Sequence, residues 1–451
     1  MDLTLSAAER EIQDRSRRFC DEHLLPLEIT CDEQDGLTPE QLAPTYRGVL
    51  DAKLNAVNMP AEWGGQGMTI FEQVLSQEQL GRSTNALWDV VWRPANVLRY
   101  CSEEQRERFL IPEIEGKRRS CYAITEADAG SDPSHLATTA VRDGDGFVLN
   151  GEKWYVTVGD VADYQIVVAE VPGEGPTSFL IDRDQDGVEQ FRVPRYMHHF
   201  VYEHPIFRYH DVKLGPERVL GDVGEGYSLT KEWFMEERLM IAARCLGGAE
   251  RCLEDAFAYA EERVQFGERI IDFQGVSFPL AEAVADIAAA RAVTYQVAWE
   301  VTEGRIDPKT LHAKAAAIKL FASEMANRVA DACVQVLGGR GYMRENAVER
   351  FYRDVLGFET LFENRRLVAL ELLGAGLEFL LLPLQCLAAR AELALQRLAR
   401  RARLRRLRED PLDIHDGDLL AVGKGGTGHP KGTGNDQGES LNAHKESSLI
   451  N

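Results

Sequence analysis

Twice along this chain the spacing of apolar residues changes period, and one kind of secondary structure cannot accommodate both. From Ser6 to about Lys117 apolar residues recur mostly every three or four positions, which specifies helices. Thr38 ahead of Pro39 predicts an N-cap with proline at the first helical position, and Gln41 is placed to complete a capping box. Between about Cys121 and Gly226 the texture becomes alternating and β-branched, in FVLNGEKWYVT, YQIVVAEV, TSFLID and IFRYHDVKLG, with Gly, Asp and Pro turns between the runs. From Tyr227 to about Leu395 the helical period returns in long segments joined by short loops, as in an antiparallel bundle. The expected fold is α+β and multidomain. It has an N-terminal helical domain over residues 1–120, a middle β-domain (barrel or sandwich) over 121–226, a C-terminal helical bundle over 227–395, and a basic helix with a disordered tail over 396–451. A chain of 451 residues exceeds the size that one hydrophobic core usually serves, which agrees with this division.

Charge narrows the partners. A formal net charge of -22 argues against nucleic acid, whose binding rests on clustered Lys and Arg. A phosphorylated ligand must then be held by helix N-termini or single arginines. The eight cysteines, at 20, 31, 101, 121, 245, 252, 333 and 386, show no CxxC pair, so a reduced, cytoplasmic location is expected. The N-terminus has early acids and no apolar core, so neither a signal nor a transit peptide is expected. LLGAGLEFLLLPLQCLAA is interrupted by Glu378 and Pro383, which argues against a transmembrane segment. The basic run LQRLARRARLRRLRED reads as a solvated helix or a contact with an anionic surface.

Several stretches invite chemistry. HHFVYEHPIFRYH, residues 198–210, gathers four histidines and Glu203, yet it lacks an HxxxH helix pair or cysteines, so no metal site is expected. LGGRGYM, residues 337–343, follows a helical run rather than a strand, which makes it a helix stop with Gly338 or Gly339 in the left-handed position. CYAITEADAGSD, residues 121–132, is different. Thr125, Gly130 and Ser131 put small residues with free backbone NH groups behind an apolar run, where they can hold phosphate or flavin edge atoms or form a plain connecting turn.

Read together, CYAITEADAGSD, NGEKWYVT at 150–157, EERVQFGERIIDFQGV at 261–276 and VQVLGGRGYMRENAVERFYRD at 334–354 resemble the acyl-CoA dehydrogenase family in order and approximate spacing, with PAEWGGQG near residue 60 in agreement. The resemblance covers roughly residues 1–375. It implies an N-terminal helical domain, a middle β-domain and a C-terminal four-helix bundle with FAD between the last two. It implies that Tyr122, Ile124, Thr125 and Ser131 line the flavin and the pantetheine entrance, and that Tyr155, Val156 and Thr157 flank the isoalloxazine ring. Arg263, Phe266 and Gln274, with Gln335, Gly338 and Gly339, match positions through which a neighbouring subunit completes the FAD site, so a homodimer or homotetramer is implied. The implied reaction removes the α-proton of an acyl-CoA thioester to a carboxylate and a hydride from the β-carbon to FAD, giving trans-2-enoyl-CoA, with electron-transfer flavoprotein as acceptor. Acyl-CoA oxidases, flavin monooxygenases and carrier-protein-linked dehydrogenases share the motifs, and a non-catalytic scaffold protein is a further alternative.

The family carries its base in one of two places. The turn after YRD is altered here, VLGFETLFENRRLVAL, and admits Glu363 only with an insertion and a deletion. The second pattern is intact in FMEERLMIAAR, residues 234–244, with Glu237 before Arg238. Glu237 is therefore expected to be the base and Glu363 the alternative, with Glu359 and Glu236 behind them. An apolar pocket that raises the pKa of the base is expected, and Arg238 matches a position near the CoA ester. Glu126 and Asp128 are left as turn and cap residues.

Overall fold

A computed structural model of the chain describes residues 4–133 and 135–360. The basic helix, the tail and Glu363 lie outside the described residues.

Helices occupy the first part of the chain: α1 (Ala7–Phe19), α2 (Glu28–Gln34), α3 (Pro39–Asp51), α4 (Ile70–Leu80) and the short α5 (Glu103–Gln105) and α6 (Ile111–Ile114). Thr38 caps α3 as its sequence specifies: the hydroxyl accepts the Gln41 amide, the Gln41 side chain accepts the Thr38 amide, and Pro39 fills the first position. Ser6 and Glu9 close the same reciprocal pair on α1, as do Thr69 and Glu72 on α4.

Eight strands follow: β1 (Ser120–Ala123), β2 (Thr139–Asp143), β3 (Gly146–Lys153), β4 (Tyr164–Val171), β5 (Gly175–Asp182), β6 (Val188–Arg192), β7 (Ile206–Leu214) and β8 (Val219–Leu220). They form one mostly antiparallel sheet ordered β6-β7-β3-β2-β4-β5-β8, with β1 parallel to β4. YQIVVAEV explains its own position in β4. Val167, Ala169 and Val171 join the core of the β-domain, while Tyr164 and Ile166, on the opposite face, pack against Phe109, Leu110 and Ile114 of the N-terminal domain. A strand buried on both faces reads as a continuous apolar run.

The rest is a helical bundle: α7 (Gly226–Glu262), α8 (Gln274–Thr302), α9 (Pro308–Leu337) and α10 (Ala347–Thr360), with a two-stranded hairpin of β9 (Val264–Gln265) and β10 (Glu268–Arg269) between α7 and α8. Leu246, Leu280 and Met325 are among its fully buried residues, and each such side chain contributes about 1.5–3 kcal/mol. α4 also leans on α7. A Cβ at Gly81 would lie 2.4 Å from Arg244 Cα, and one at Gly247 would lie 1.8 Å from the Glu78 carbonyl oxygen, so only glycine permits this approach. α9 ends at Leu337 with Gly338 at φ +58°, the stop that LGGRGYM implies. Among the described residues no helix is long and apolar enough to cross a membrane, and the seven described cysteines are free.

Candidate active site

The loop after β1 is organised from beneath by charge. Glu126 is buried, and its carboxylate accepts from the amides of Ala137 at 2.6 Å and Thr138 at 3.0 Å and from Lys153 Nζ at 2.7 Å. Lys153 also donates to the Ile124 carbonyl at 2.9 Å. Burial draws the Lys153 ammonium down to about 8 against the pull of Glu126. Burial also pushes the Glu126 carboxyl up, but Lys153 and the loop donors outweigh it and hold it below the usual range. So anchored, the loop buries Ile124 and leaves Gly130 and Ser131 exposed, with open space around the Gly130 Cα. Tyr122 points to the other side, stacked on Trp233 at 4.4 Å with its hydroxyl donating to Thr230 Oγ1 at 3.0 Å, and so ties β1 to α7. Burial pushes the Tyr122 phenol up to about 12.

The segment after β3 lies alongside. The Trp154 amide donates to the Thr125 carbonyl at 2.8 Å, and that of Val156 to the Pro205 carbonyl at 3.1 Å. Tyr155 at φ +53° and Val158 at φ +66° take left-handed backbone conformations that cost a non-glycine residue about 1–2 kcal/mol. The outcome is an alternation in which Val156 and Val158 are buried while Tyr155 and Thr157 face outward.

Val158 belongs to the apolar cluster that holds Leu87, Val90, Val91 and Trp92, and this brings residues 87–93 between the strained segment and α7. Arg93, almost fully buried, forms ion pairs with both Glu236 and Glu237. Burial lowers its pKa, against the pull of Glu236. The two carboxylates are committed unequally. Glu236 also accepts from Asn96 Nδ2 at 3.1 Å and is 7% exposed, whereas Glu237 is 15% exposed and its Oε2 has Arg244 Nη1 at 3.6 Å. Glu237 is therefore not on an outer helix surface. Nor is its surrounding the apolar pocket that the sequence suggests, because two guanidiniums stand beside it. Arg238, the next residue, is buried and turned toward α9, with Nη1 at 3.3 Å from the ring nitrogens of His312. Glu359 belongs to the last turn of α10.

The remaining candidate residues lie apart on an outer surface. Arg263 ends α7, and the hairpin turn that follows has Phe266 at φ +54° and Gly267 at φ +84°, the pair of positive angles that a type I′ turn demands. That turn projects Phe266 outward, 97% exposed. Gln274, Gln335, Gly338 and Gly339 are exposed as well, and Tyr342, just beyond, is 87% exposed. Aromatic side chains held this far out are the kind of surface that a further partner covers.

The histidines of HHFVYEHPIFRYH are dispersed. His198 and His204 sit edge-on to Phe200 within a buried aromatic cluster, where burial pulls them down to about 3 and about 4, and His199 contacts Asp35. Among the described residues no three His, Cys, Asp or Glu side chains gather in a metal-binding group. Sequence reasoning misses Arg93 and Arg244. The seven-residue step from Glu237 to Arg244, two turns along one helical face, is the one available signal.

Comparison with known proteins agrees with this layout. Models of three acyl-CoA dehydrogenase domains match in order: the N-terminal domain over residues 6–117, the middle domain over 121–199 and the C-terminal domain over 224–362. The caffeyl-CoA reductase-Etf complex subunit CarC of Acetobacterium woodii is 30% identical over 373 residues, which is 80% of this chain and 96% of that protein. The mitochondrial short/branched chain specific acyl-CoA dehydrogenase of Rattus norvegicus is 31% identical over 352 residues, or 76% and 79% of the two chains. The solved structure of butyryl-CoA dehydrogenase from Megasphaera elsdenii superimposes with a TM-score of 0.77 at 28% identity, covering 84% of this chain and 100% of that one.

Proposed function

This chain belongs to the acyl-CoA dehydrogenase family of FAD-dependent oxidoreductases, and we propose that it dehydrogenates an acyl-CoA thioester to trans-2-enoyl-CoA with Glu237 as the base. The residues present fit FAD. Gly130 and Ser131 stand open above the Glu126–Lys153 anchor, and Tyr155 and Thr157 face outward from a backbone strained at two positions, so the two segments offer exposed edges for a flat ligand. Tyr122, Ile124, Thr125 and Val156 support that surface from behind. When bound, FAD supplies the acceptor for the β-hydride.

The observation that carries the base assignment is the unequal commitment of the adjacent carboxylates. Glu236 is engaged by Arg93 and Asn96, while Glu237 keeps one oxygen 3.6 Å from its charged neighbour and retains exposure. In this reading the α-proton moves to Oε2 of Glu237, and Arg93 holds the other oxygen so that the carboxylate keeps its orientation. Ser131 lies at the pantetheine entrance. Arg238, directed to His312, supports α7 rather than reaching the thioester by itself.

Exposed Phe266, with Arg263, Gln274, Gln335, Gly338 and Gly339, supports a homodimer or homotetramer in which these residues complete a neighbouring FAD site. The relative from Acetobacterium woodii is named as part of an Etf complex, which supports electron-transfer flavoprotein as the electron acceptor here. Free cysteines support a cytoplasmic role, and short-chain relatives support fatty acid metabolism.

Anaerobic addition of a panel of saturated acyl-CoAs to the FAD-loaded protein tests the reading. Bleaching of the flavin is expected with the wild type and with Glu363→Gln but not with Glu237→Gln, and the opposite pattern moves the base to Glu363. Rapid peroxide formation from the reduced protein without an acceptor would replace the dehydrogenase by an oxidase or monooxygenase.

A further inference from the structure

A carboxylate with a guanidinium on each side is a poor proton acceptor, because both charges favour its ionised form. Glu237 stands in that position, with Arg93 on one oxygen and Arg244 Nη1 at 3.6 Å from the other. A base so placed needs those charges drawn elsewhere. Glu236 does this for Arg93. Its Oε1 pairs with Arg93 Nη1 while Glu237 Oε1 takes Nη2, so one guanidinium is divided between adjacent carboxylates. The division is held in place. Glu236 is 7% exposed, its Oε2 accepts from Nδ2 of buried Asn96 at 3.1 Å, and the same Nδ2 lies 3.4 Å from the Glu232 carbonyl, one turn earlier on α7.

Arg244 is drawn off in the same sense. Its Nε donates to Gln77 Oε1 at 2.6 Å and its guanidinium lies 3.7 Å over the Trp88 ring. Burial and Arg93 draw its pKa down to about 9, while Asp89 opposes them and also attracts Arg93. The charged groups about Glu237 are therefore Arg93 and Asp89 from residues 87–93, Glu236, Arg238 and Arg244 from α7, and His312 from α9 beside Arg238. Among them Glu236 alone divides a guanidinium with Glu237 at contact distance. Without its charge Arg93 falls wholly to Glu237, and the repulsion between the neighbouring carboxylates vanishes. Both changes favour ionised Glu237 and weaken it as an acceptor.

We propose that Glu236 is a positioning residue for proton abstraction: by holding part of Arg93 it keeps Glu237 basic enough to take the α-proton. This rests on Glu237 being the base. The test is the pH dependence of kcat/KM for the best substrate of the saturated acyl-CoA panel, on the FAD-loaded full chain with an artificial electron acceptor. The rate should rise with pH as Glu237 ionises. In Glu236→Gln the rise should move to lower pH by about one unit or more, the scale of one neighbouring charge. The plateau should fall by up to about tenfold, since one pKa unit is a factor of ten in proton affinity. Glu236→Asp should restore both. A lower plateau with the rise unmoved, or a rise moved to higher pH, overturns the proposal alone. Loss of turnover in Glu236→Gln as complete as in Glu237→Gln makes Glu236 the base and overturns the Glu237 assignment with it. Infrared titration of the carboxyl band, taken as the difference between each protein and the same protein carrying Glu237→Gln, reads the shift without turnover. An inactive wild type therefore removes the dehydrogenase reading and still leaves the effect of Glu236 on Glu237 decided. If Glu236→Gln does not fold, Asn96→Ala, which frees Glu236 Oε2, should move the rise the same way by a smaller step, and an unmoved rise overturns the proposal.

Discussion

Two clusters of buried charge differ in how completely they are closed. Where α2 meets α7 and α10, Glu28 accepts from Arg251 at 2.5 and 2.9 Å, from Arg350 at 3.0 Å and from the Thr84 amide at 2.8 Å, and Asp32 is bound by Arg344 and Arg353. Burial pushes the Glu28 carboxyl up, but Arg251, Arg350 and Thr84 outweigh it and hold it low. Beside α7 the arginines Arg93 and Arg244 share Glu236 and Glu237, one ion pair is stretched to 3.6 Å, and part of Glu237 remains exposed. Buried ions in a closed network hold helices together, whereas an open network of the same residue types is poised to exchange a partner.

Substitutions should separate the two clusters. The largest expected effect is on catalysis: Glu237→Gln should lower kcat by about 1,000-fold or more, about 4 kcal/mol in barrier, with a smaller loss of stability of about 1–3 kcal/mol from the partner it withdraws from Arg93 and Arg244. Steady-state rates and calorimetry on one preparation check both halves. Glu28→Gln should do the reverse, costing about 3–5 kcal/mol of stability in denaturant unfolding while the folded fraction keeps its kcat. If Glu28→Gln proves silent, the closed cluster is not a structural clamp.

Asp354 sharpens the contrast from the rim of the closed cluster. Its Oδ2 accepts from the Asn85 amide at 2.6 Å, and burial, opposed by that bond and by Arg353, pushes its carboxyl up to about 7. The folded state therefore binds the proton more tightly than the unfolded chain does, where the usual value is 3.8. Stability from this group is present below the unfolded value and is lost as pH rises through about 7. The stability of Asp354→Asn relative to wild type should accordingly rise from pH 4 to pH 7, as read by urea midpoints, and a difference that stays flat removes Asp354 from the account. His204 titrates alike in both proteins and cancels in the subtraction, and because His198 Nε2 lies 4.0 Å from Asp354 Oδ1 the comparison is made in a His198→Gln background.

The smallest effect on folding is expected at Phe266. Being 97% exposed, it should cost almost nothing to a single subunit when replaced by Ala, while subunit association and FAD retention weaken. Light scattering and the flavin-to-protein absorbance ratio check this, and unchanged values for both would take Phe266 out of the interface.

Much of this architecture was legible because it rests on local periods and caps. The helical spacing, the Thr38–Pro39–Gln41 start and the doubly buried β4 follow from neighbouring residues. The site was legible in part. Glu237 stood out beside Arg238, but Arg93 reaches it from more than a hundred positions away, and no local pattern marks such a pairing. Glu126 reads in the sequence as a turn residue, and its role as the anchor of the loop depends on Lys153 arriving from the end of β3. The positive φ of Val158 has no sequence signal, since valine disfavours that conformation and only the surrounding packing imposes it.

The central claim is that the open cluster abstracts the α-proton through Glu237. Exchange of the α-hydrogen of a saturated acyl-CoA with deuterated solvent under anaerobic conditions, followed by mass spectrometry, tests it most directly. The account predicts exchange with the wild type and Glu363→Gln and none with Glu237→Gln, and undiminished exchange in Glu237→Gln would contradict it.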